Sequence, residues 1–188
     1  MLLQILQLAG WFVALVMLMS LMEHQTHQRL MHRKPRNSLL KKVSARNRIF
    51  TSHAIEHHTQ YRKDFHDDPV PAGEDHGIRL SILEGLGESL LVSLVLVWIS
   101  VTAAVMFPMV LVLHHVIWNL THMEMHKPEK RFFANWSAYK FMARHHFLHH
   151  RYPNKNFNVA FPTGDFLCGT LAKPTNSDWD DMRAEGIA

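Results

Sequence analysis

The chain has a single cysteine, Cys168, in 188 residues. This excludes a disulfide framework and any cysteine-rich zinc or iron–sulfur site. A metal bound here must be held by nitrogen ligands, with or without carboxylates. The sequence has no flavin or nicotinamide fingerprint, no attached haem domain, no solenoid-type repeat and no low-complexity tract. No lysine or arginine precedes the first apolar run, and no small-residue cleavage site follows it. That run therefore reads as a retained membrane span rather than a secretory signal.

What the chain does have is segregated. It is 47% apolar yet carries 20 basic and 16 acidic residues, for a net charge of +4. Nearly uncharged apolar blocks alternate with blocks rich in His, Lys and Arg. Residues 1–22 are long enough to cross a bilayer, which takes roughly 20 apolar residues. A second apolar block, from Ile78 to Leu120, would reach about 65 Å as one helix, too long for one crossing. Proline disrupts a helix interior, so Phe107-Pro108 offers a break between two spans. The expected fold is all-α: an integral membrane protein forming one domain over 1–188, with three spans near 3–22, 80–101 and 104–122. A histidine-rich helical cap would lie on the cytoplasmic side, and residues 172–188 would be a peripheral polar tail.

Lysine and arginine set the orientation. Ten lie between Arg29 and Lys63 and nine between Lys127 and Arg183, with Arg79 at the mouth of the second block. Three spans put all twenty on one face, read as cytoplasmic, in a bacterial inner membrane or the endoplasmic reticulum. The basic charge then follows from orientation and from attraction to anionic lipid, so no nucleic-acid partner is expected. The segment 66–77 reads as a loop from its Pro, Gly and Asp content.

The chain contains 16 histidines. Neutral imidazole is the commonest protein ligand for borderline transition metals. The histidines gather in four clusters on the predicted cytoplasmic side: His24, His27 and His32; His53, His57 and His58; His114, His115, His122 and His126; and His145, His146, His149 and His150. On a helix, positions three or four apart share a face. His53 with His57, His122 with His126, and His146 with His149 or His150 could each chelate one ion. Adjacent pairs such as His57/His58 diverge by about 100°, so one member of each could reach a second ion. His115, Asn119, His122 and His126 form a polar stripe that begins at membrane depth, where polar groups face a cavity or a partner. We read this stripe as a pocket wall between the metal site and the bilayer. His115 and Trp118 would line the pocket and Asn119 would support the ligands. His66 and His76 read as lone surface residues, and Cys168 as a small packing residue.

The segments HQRLMH (27–32), HAIEHH (53–58), HMEMH (122–126) and HHFLHHRYPNKNFNVAFPTGDFLCGTL (145–171) resemble the membrane-bound fatty acid hydroxylase superfamily, which includes sterol desaturases and carotenoid hydroxylases. The last segment follows that family's H-x-x-HH, Asn-aromatic and Asp…Gly-Thr order, with Asn158 where the family usually has glycine. Asparagine tolerates a left-handed backbone, which would preserve the turn. The resemblance implies ten ligands, His27, His32, His53, His57, His58, His122, His126, His146, His149 and His150, holding two iron ions. Zinc could occupy purified samples because it stands higher in the affinity series. Asn156 and Asp165 would be framework residues that orient imidazoles. Two alternatives remain. Helical spacing favours His24 with His27 where the resemblance favours His27 with His32, and His145 competes with His146.

The implied activity is O2-dependent hydroxylation or desaturation of a lipid or fatty acyl C–H bond. A separate ferredoxin, rubredoxin or cytochrome would supply electrons, docking against basic residues such as Lys41, Lys42, Arg46 and Arg48. Two other readings compete: a membrane metal transporter or histidine-rich buffer, and a structural zinc protein without redox function. A transporter would place its ligands near mid-membrane, whereas most of these histidines lie at span ends. A reporter fused to the C-terminus is expected on the cytoplasmic face, and its appearance outside would rule out the three-span topology.

Overall fold

A computed structural model describes residues 1–34, 44–62, 64–68 and 79–188. Lys41, Lys42, Lys63, His76 and most of the loop expected over 66–77 lie outside the described residues. The fold is 70% helix, with no strand among the described residues. Helix α1 (Leu2–Thr26) runs on into a π-helical turn, His27–Met31. Helix α2 (Ser44–Phe50) continues through a π-helical stretch, Thr51–His57, into one last α-turn, His58–Tyr61. Helices α3 (Ile82–Leu96) and α4 (Val101–His126) form a hairpin, followed by α5 (Ser137–Arg151), α6 (Thr163–Cys168) and α7 (Asn176–Ala184).

Serine sets both starts of the hairpin. The Ser81 and Ser100 hydroxyls accept from the backbone N–H groups of Glu84 and Ala103, satisfying donors that a helix N-terminus leaves open. The turn lies at residues 97–100, not at Phe107-Pro108, and Pro108 stands inside α4. Proline has no N–H to offer the carbonyl four residues back, here that of Ala104. The Ser93 hydroxyl of α3 donates to that carbonyl at 2.9 Å. The helix therefore continues through its proline because the neighbouring helix satisfies the freed acceptor.

Two helices are long and apolar enough to cross a membrane, Leu2–Met31 and Val101–His126. Helix α3 has 15 residues, about 22 Å of helix, which is less than the roughly 30 Å hydrocarbon core. The expected three spans thus reduce to two helices of sufficient length. Only 17% and 39% of the apolar windows of these two helices are buried, far less than for the core helix of a soluble protein. Large apolar side chains such as Leu3, Leu91, Trp98 and Met109 point outward.

One core joins α1 to the hairpin through Leu15, Met19, Leu96, Phe107 and Leu111. A second lies under the histidine-rich end and contains Phe65, Trp118, Met125, Phe147 and Met182. Met182 and Ile187 make the C-terminal segment part of that core rather than a peripheral tail. A capping box between Thr175 and Asp178 starts α7, and Arg144 Nη1 donates to the Ile187 carbonyl at 2.9 Å. His66, expected on the surface, instead sits half-buried with its ring nitrogens 2.7 Å from the Met125 carbonyl and 3.1 Å from that of Glu185.

Ser93→Ala is expected to lower stability by about 1 kcal/mol, the usual worth of one intramolecular hydrogen bond. In a Pro108→Ala background the same change should cost clearly less, because the helix then supplies its own donor. A double-mutant cycle of unfolding in detergent micelles measures this, and equal costs in both backgrounds would refute the pairing.

Candidate metal centre

Four chain segments bring the histidines together: the end of α1, the π-helical part of α2, the end of α4, and α5. One group comprises His27, His32, His53, His58 and His149, and the other His57, His122, His126 and His146. Within each group the potential ligand atoms lie within 4.8 Å of one another, so each can hold a metal ion. His150 stands beside the second group, with its Nε2 3.0 Å from that of His146. Nine of the ten residues singled out from the sequence therefore fall into the two groups, five and four, and the tenth adjoins them. The groups adjoin: the His53 and His57 rings stack with centroids 5.0 Å apart.

The π-helical segments decide which imidazole joins which group. A π-helix bonds i to i+5, so residues five apart share a face. The His32 N–H donates to the His27 carbonyl at 3.1 Å, and their ring centroids lie 5.0 Å apart. The expected α-helical face pairing His24 with His27 gives way to His27 with His32. The same register acts in α2, where the His58 N–H bonds the His53 carbonyl. His53 thus shares a group with His58, while His57, four residues from His53, belongs to the other. The expected His53/His57 chelate is replaced for this reason.

Hydrogen bonds fix several tautomers. Outer Nδ1 atoms donate to backbone carbonyls: His27 to Phe157, His126 to Phe65 at 3.0 Å, and His149 to Lys155 at 2.7 Å. A neutral imidazole has one N–H, so Nε2 of each of these rings carries an inward lone pair. An outer N–H tied to a carbonyl is the usual support of a metal-bound histidine. Both ring nitrogens of His57 and of His58, and Nδ1 of His146 and of His150, are buried without a hydrogen-bond partner. Each such group costs about 1–3 kcal/mol when nothing satisfies it.

Spacing agrees with a shared ion. Two nitrogens each about 2.1 Å from one ion and at right angles are about 3.0 Å apart. Nε2 of His146 lies 3.1, 3.0 and 3.0 Å from Nε2 of His122, His126 and His150, and His32 and His149 approach to 3.0 Å. Burial, reinforced by neighbouring imidazoles, holds His53, His57, His146, His149 and His150 well below the ordinary histidine range. Burial also lowers His32 to about 4 and, with its neighbours, His58 to about 3. At neutral pH these rings are uncharged and their lone pairs are available.

Other singled-out residues lie elsewhere. His145 Nε2 bonds Asp165 Oδ2 at 2.9 Å, and His24 Nε2 lies 2.9 Å from Thr170 Oγ1, so neither ring joins a group. Asn119 clamps the backbone of Leu80, accepting from its N–H at 2.6 Å and donating to its carbonyl at 3.0 Å. It secures the start of the hairpin rather than the ligands. His115 donates through Nδ1 to the Leu111 carbonyl at 3.1 Å and packs over Gly85. Trp118 is buried with its ring 4.3 Å from that of His122. Two cavities beside the histidines, of about 560 and 360 Å³, are lined by neither His115 nor Trp118. Cys168 is exposed, not packed.

Asp165 and Asn156 act through the loop at 156–158. The Asp165 carboxylate accepts from the Phe157 and Asn158 N–H groups at 2.8 and 2.7 Å, which positions the Phe157 carbonyl that holds His27. Burial alone would raise its pKa, but hydrogen bonds from His145, Thr170 and Asn158 outweigh that and hold it below the usual carboxylate range. The left-handed residue of this turn is Asn156, with φ 53°, not Asn158. Asn158 instead donates to the Ser20 carbonyl at 2.7 Å and to Glu23 at 3.0 Å. Glu23, Ser20 and Gly164 were not legible as site residues. Glu23 accepts the Val159 N–H at 2.7 Å, and a Cβ on Gly164 would meet Ser20 O at 2.7 Å, so α6 lies tight against α1. Their only sequence signal was a carboxylate and a serine at the end of an apolar run.

No family model matches the chain, and no curated protein or solved structure matches it.

His146→Ala should lower the metal bound per chain, while His145→Ala, which removes only a hydrogen bond to Asp165, should lower it much less. Anaerobic titration with metal, read by elemental analysis after desalting, separates the two. An equal loss in both variants would contradict the assembly described here.

Proposed function

We propose that the chain is a di-iron membrane oxidoreductase, similar to the fatty acid hydroxylase superfamily, that hydroxylates or desaturates a lipid or fatty acyl C–H bond using O2. The observation that carries this reading is the pair of adjoining groups of five and four imidazoles, with His150 beside them, at the ends of helices whose apolar side chains face outward. Four or five neutral imidazoles per ion, with no carboxylate among the described residues of either group, suit a transition metal of borderline softness. Iron bound there would supply what no side chain of this chain has, activation of O2 for attack on an unactivated C–H bond.

The protein's own part is to hold and to shield. The carbonyls of Phe157, Phe65 and Lys155 set ring orientation through the outer N–H groups. Tyr61 stacks on His126 with centroids 4.0 Å apart, and Phe65, Trp118 and Phe157 pack around the other rings, limiting water. The outward apolar surfaces of α1, α3 and α4 support a site at the membrane boundary that takes its substrate from the bilayer. In the proposed orientation the histidines face the cytoplasm and the hairpin dips into the membrane, with α3 as a short third arm. A separate electron carrier completes the reaction.

The test is anaerobic purification from membranes, iron loading, and incubation with O2, a reductant and extracted lipid. About two irons per chain and O2-dependent appearance of hydroxylated or desaturated lipid are expected. His149→Ala should lose about 100-fold or more of that activity while still inserting. Tight zinc binding with no lipid oxidation by the iron-loaded protein would leave a structural metal site instead.

A further inference from the structure

The two cavities share Arg62 and His150 and together form a mouth on the polar side of the histidine groups. His32 and His58 of the first group line it, as does His150, whose Nε2 lies 3.0 Å from that of His146 in the second. His32 is half-buried, whereas the other nine assembled histidines are buried. The mouth is broad and its charge is uneven. Among the described residues no carboxylate lines the smaller cavity, which is formed by His32, Ala54, His58, Thr59, Arg62, His150 and Pro153. Arg62 is exposed in its wall, and exposed Arg33 and Lys34 follow His32 in the chain. Of the two carboxylates of the larger cavity, Asp181 pairs with Arg151, and Glu185, outside the smaller cavity's lining, lies 3.6 Å from the His66 ring.

We propose that this mouth, centred on Arg62, is the docking surface for a small acidic one-electron carrier protein. The inference rests on the di-iron reading above. That chemistry consumes two electrons per turnover, and the chain has no electron-carrying group of its own. A carrier must therefore approach where the imidazoles come nearest to solvent, and the basic rim would steer an acidic partner there. Each docking passes one electron from the reduced carrier to one ferric ion, leaving the carrier oxidised by one electron. Two dockings reduce both ions, and no proton or group is transferred at this surface. The basic residues Lys41 and Lys42, first considered for this role, lie outside the described residues, whereas Arg62 stands against the histidines themselves.

The test uses the full iron-loaded chain in nanodiscs, mixed anaerobically in a stopped-flow instrument with reduced plant-type ferredoxin, rubredoxin or cytochrome b5, each an acidic carrier. Dithionite serves as the small reductant. At least one carrier should reduce the wild type, more slowly as salt rises. Arg62→Glu should slow that step by about tenfold or more, and Thr59→Glu should slow it as well, while dithionite reduces all three proteins alike. Equal carrier rates in wild type and Arg62→Glu would overturn the docking surface. So would failure of all three carriers on a wild type that dithionite reduces. If dithionite-reduced protein consumes no O2 with lipid present, the di-iron reading itself fails and the docking surface falls with it.

Discussion

Nine of the ten assembled imidazoles are buried, Nε2 atoms of eight of the ten rings face one another at 2.6–3.1 Å, and both ring nitrogens of His57 and of His58 have no hydrogen-bond partner. A folded chain does not keep so many unsatisfied polar atoms together without something to satisfy them. The surrounding architecture follows from that constraint. Carbonyls of three separate segments take up the outer N–H groups, so lone pairs are left pointing inward. Apolar rings fill the space between and around the imidazoles.

The supporting framework is polar and buried in its own right. Asp165, His145, His24 and Thr170 form a connected network next to the two groups without entering them. Through two backbone N–H groups Asp165 holds the loop that carries the Phe157 carbonyl, and through that carbonyl it acts on His27. Glu23 and Ser20 tie the same loop to α1, within the two turns before the first ligand. The site is thus fixed by contacts among the end of α1, α5 and the chain after it. The hairpin brings in His122 and His126 and faces outward with its apolar side chains.

The exposed apolar helices and the polar mouth divide the protein's surface by polarity. One side presents apolar side chains of a kind that suits a bilayer. The other brings His32, His58 and His150 close to water beside Arg62.

The residue types and their clustering were enough to indicate an all-helical chain with histidine clusters that could hold metal. One cysteine among 16 histidines, gathered at the ends of apolar blocks, leaves little other chemistry. The nine rings that gather into the two groups were legible too, because H-x-x-HH and H-x-x-x-H patterns persist whatever the exact backbone. The partition of those rings was not. It depends on two π-helical segments, and a period of 3.6 residues misassigns residues five apart. Nor could the sequence place the hairpin turn. Whether Pro108 ends a helix depends on whether a partner takes the Ala104 carbonyl, and Ser93 becomes that partner only when α3 packs against α4. Asn119 and Asn158 likewise belonged to a plausible pattern but found backbone partners elsewhere. Local composition determines which chemistry is possible, but hydrogen bonds between distant segments exist only after folding, and those bonds decided which atoms meet.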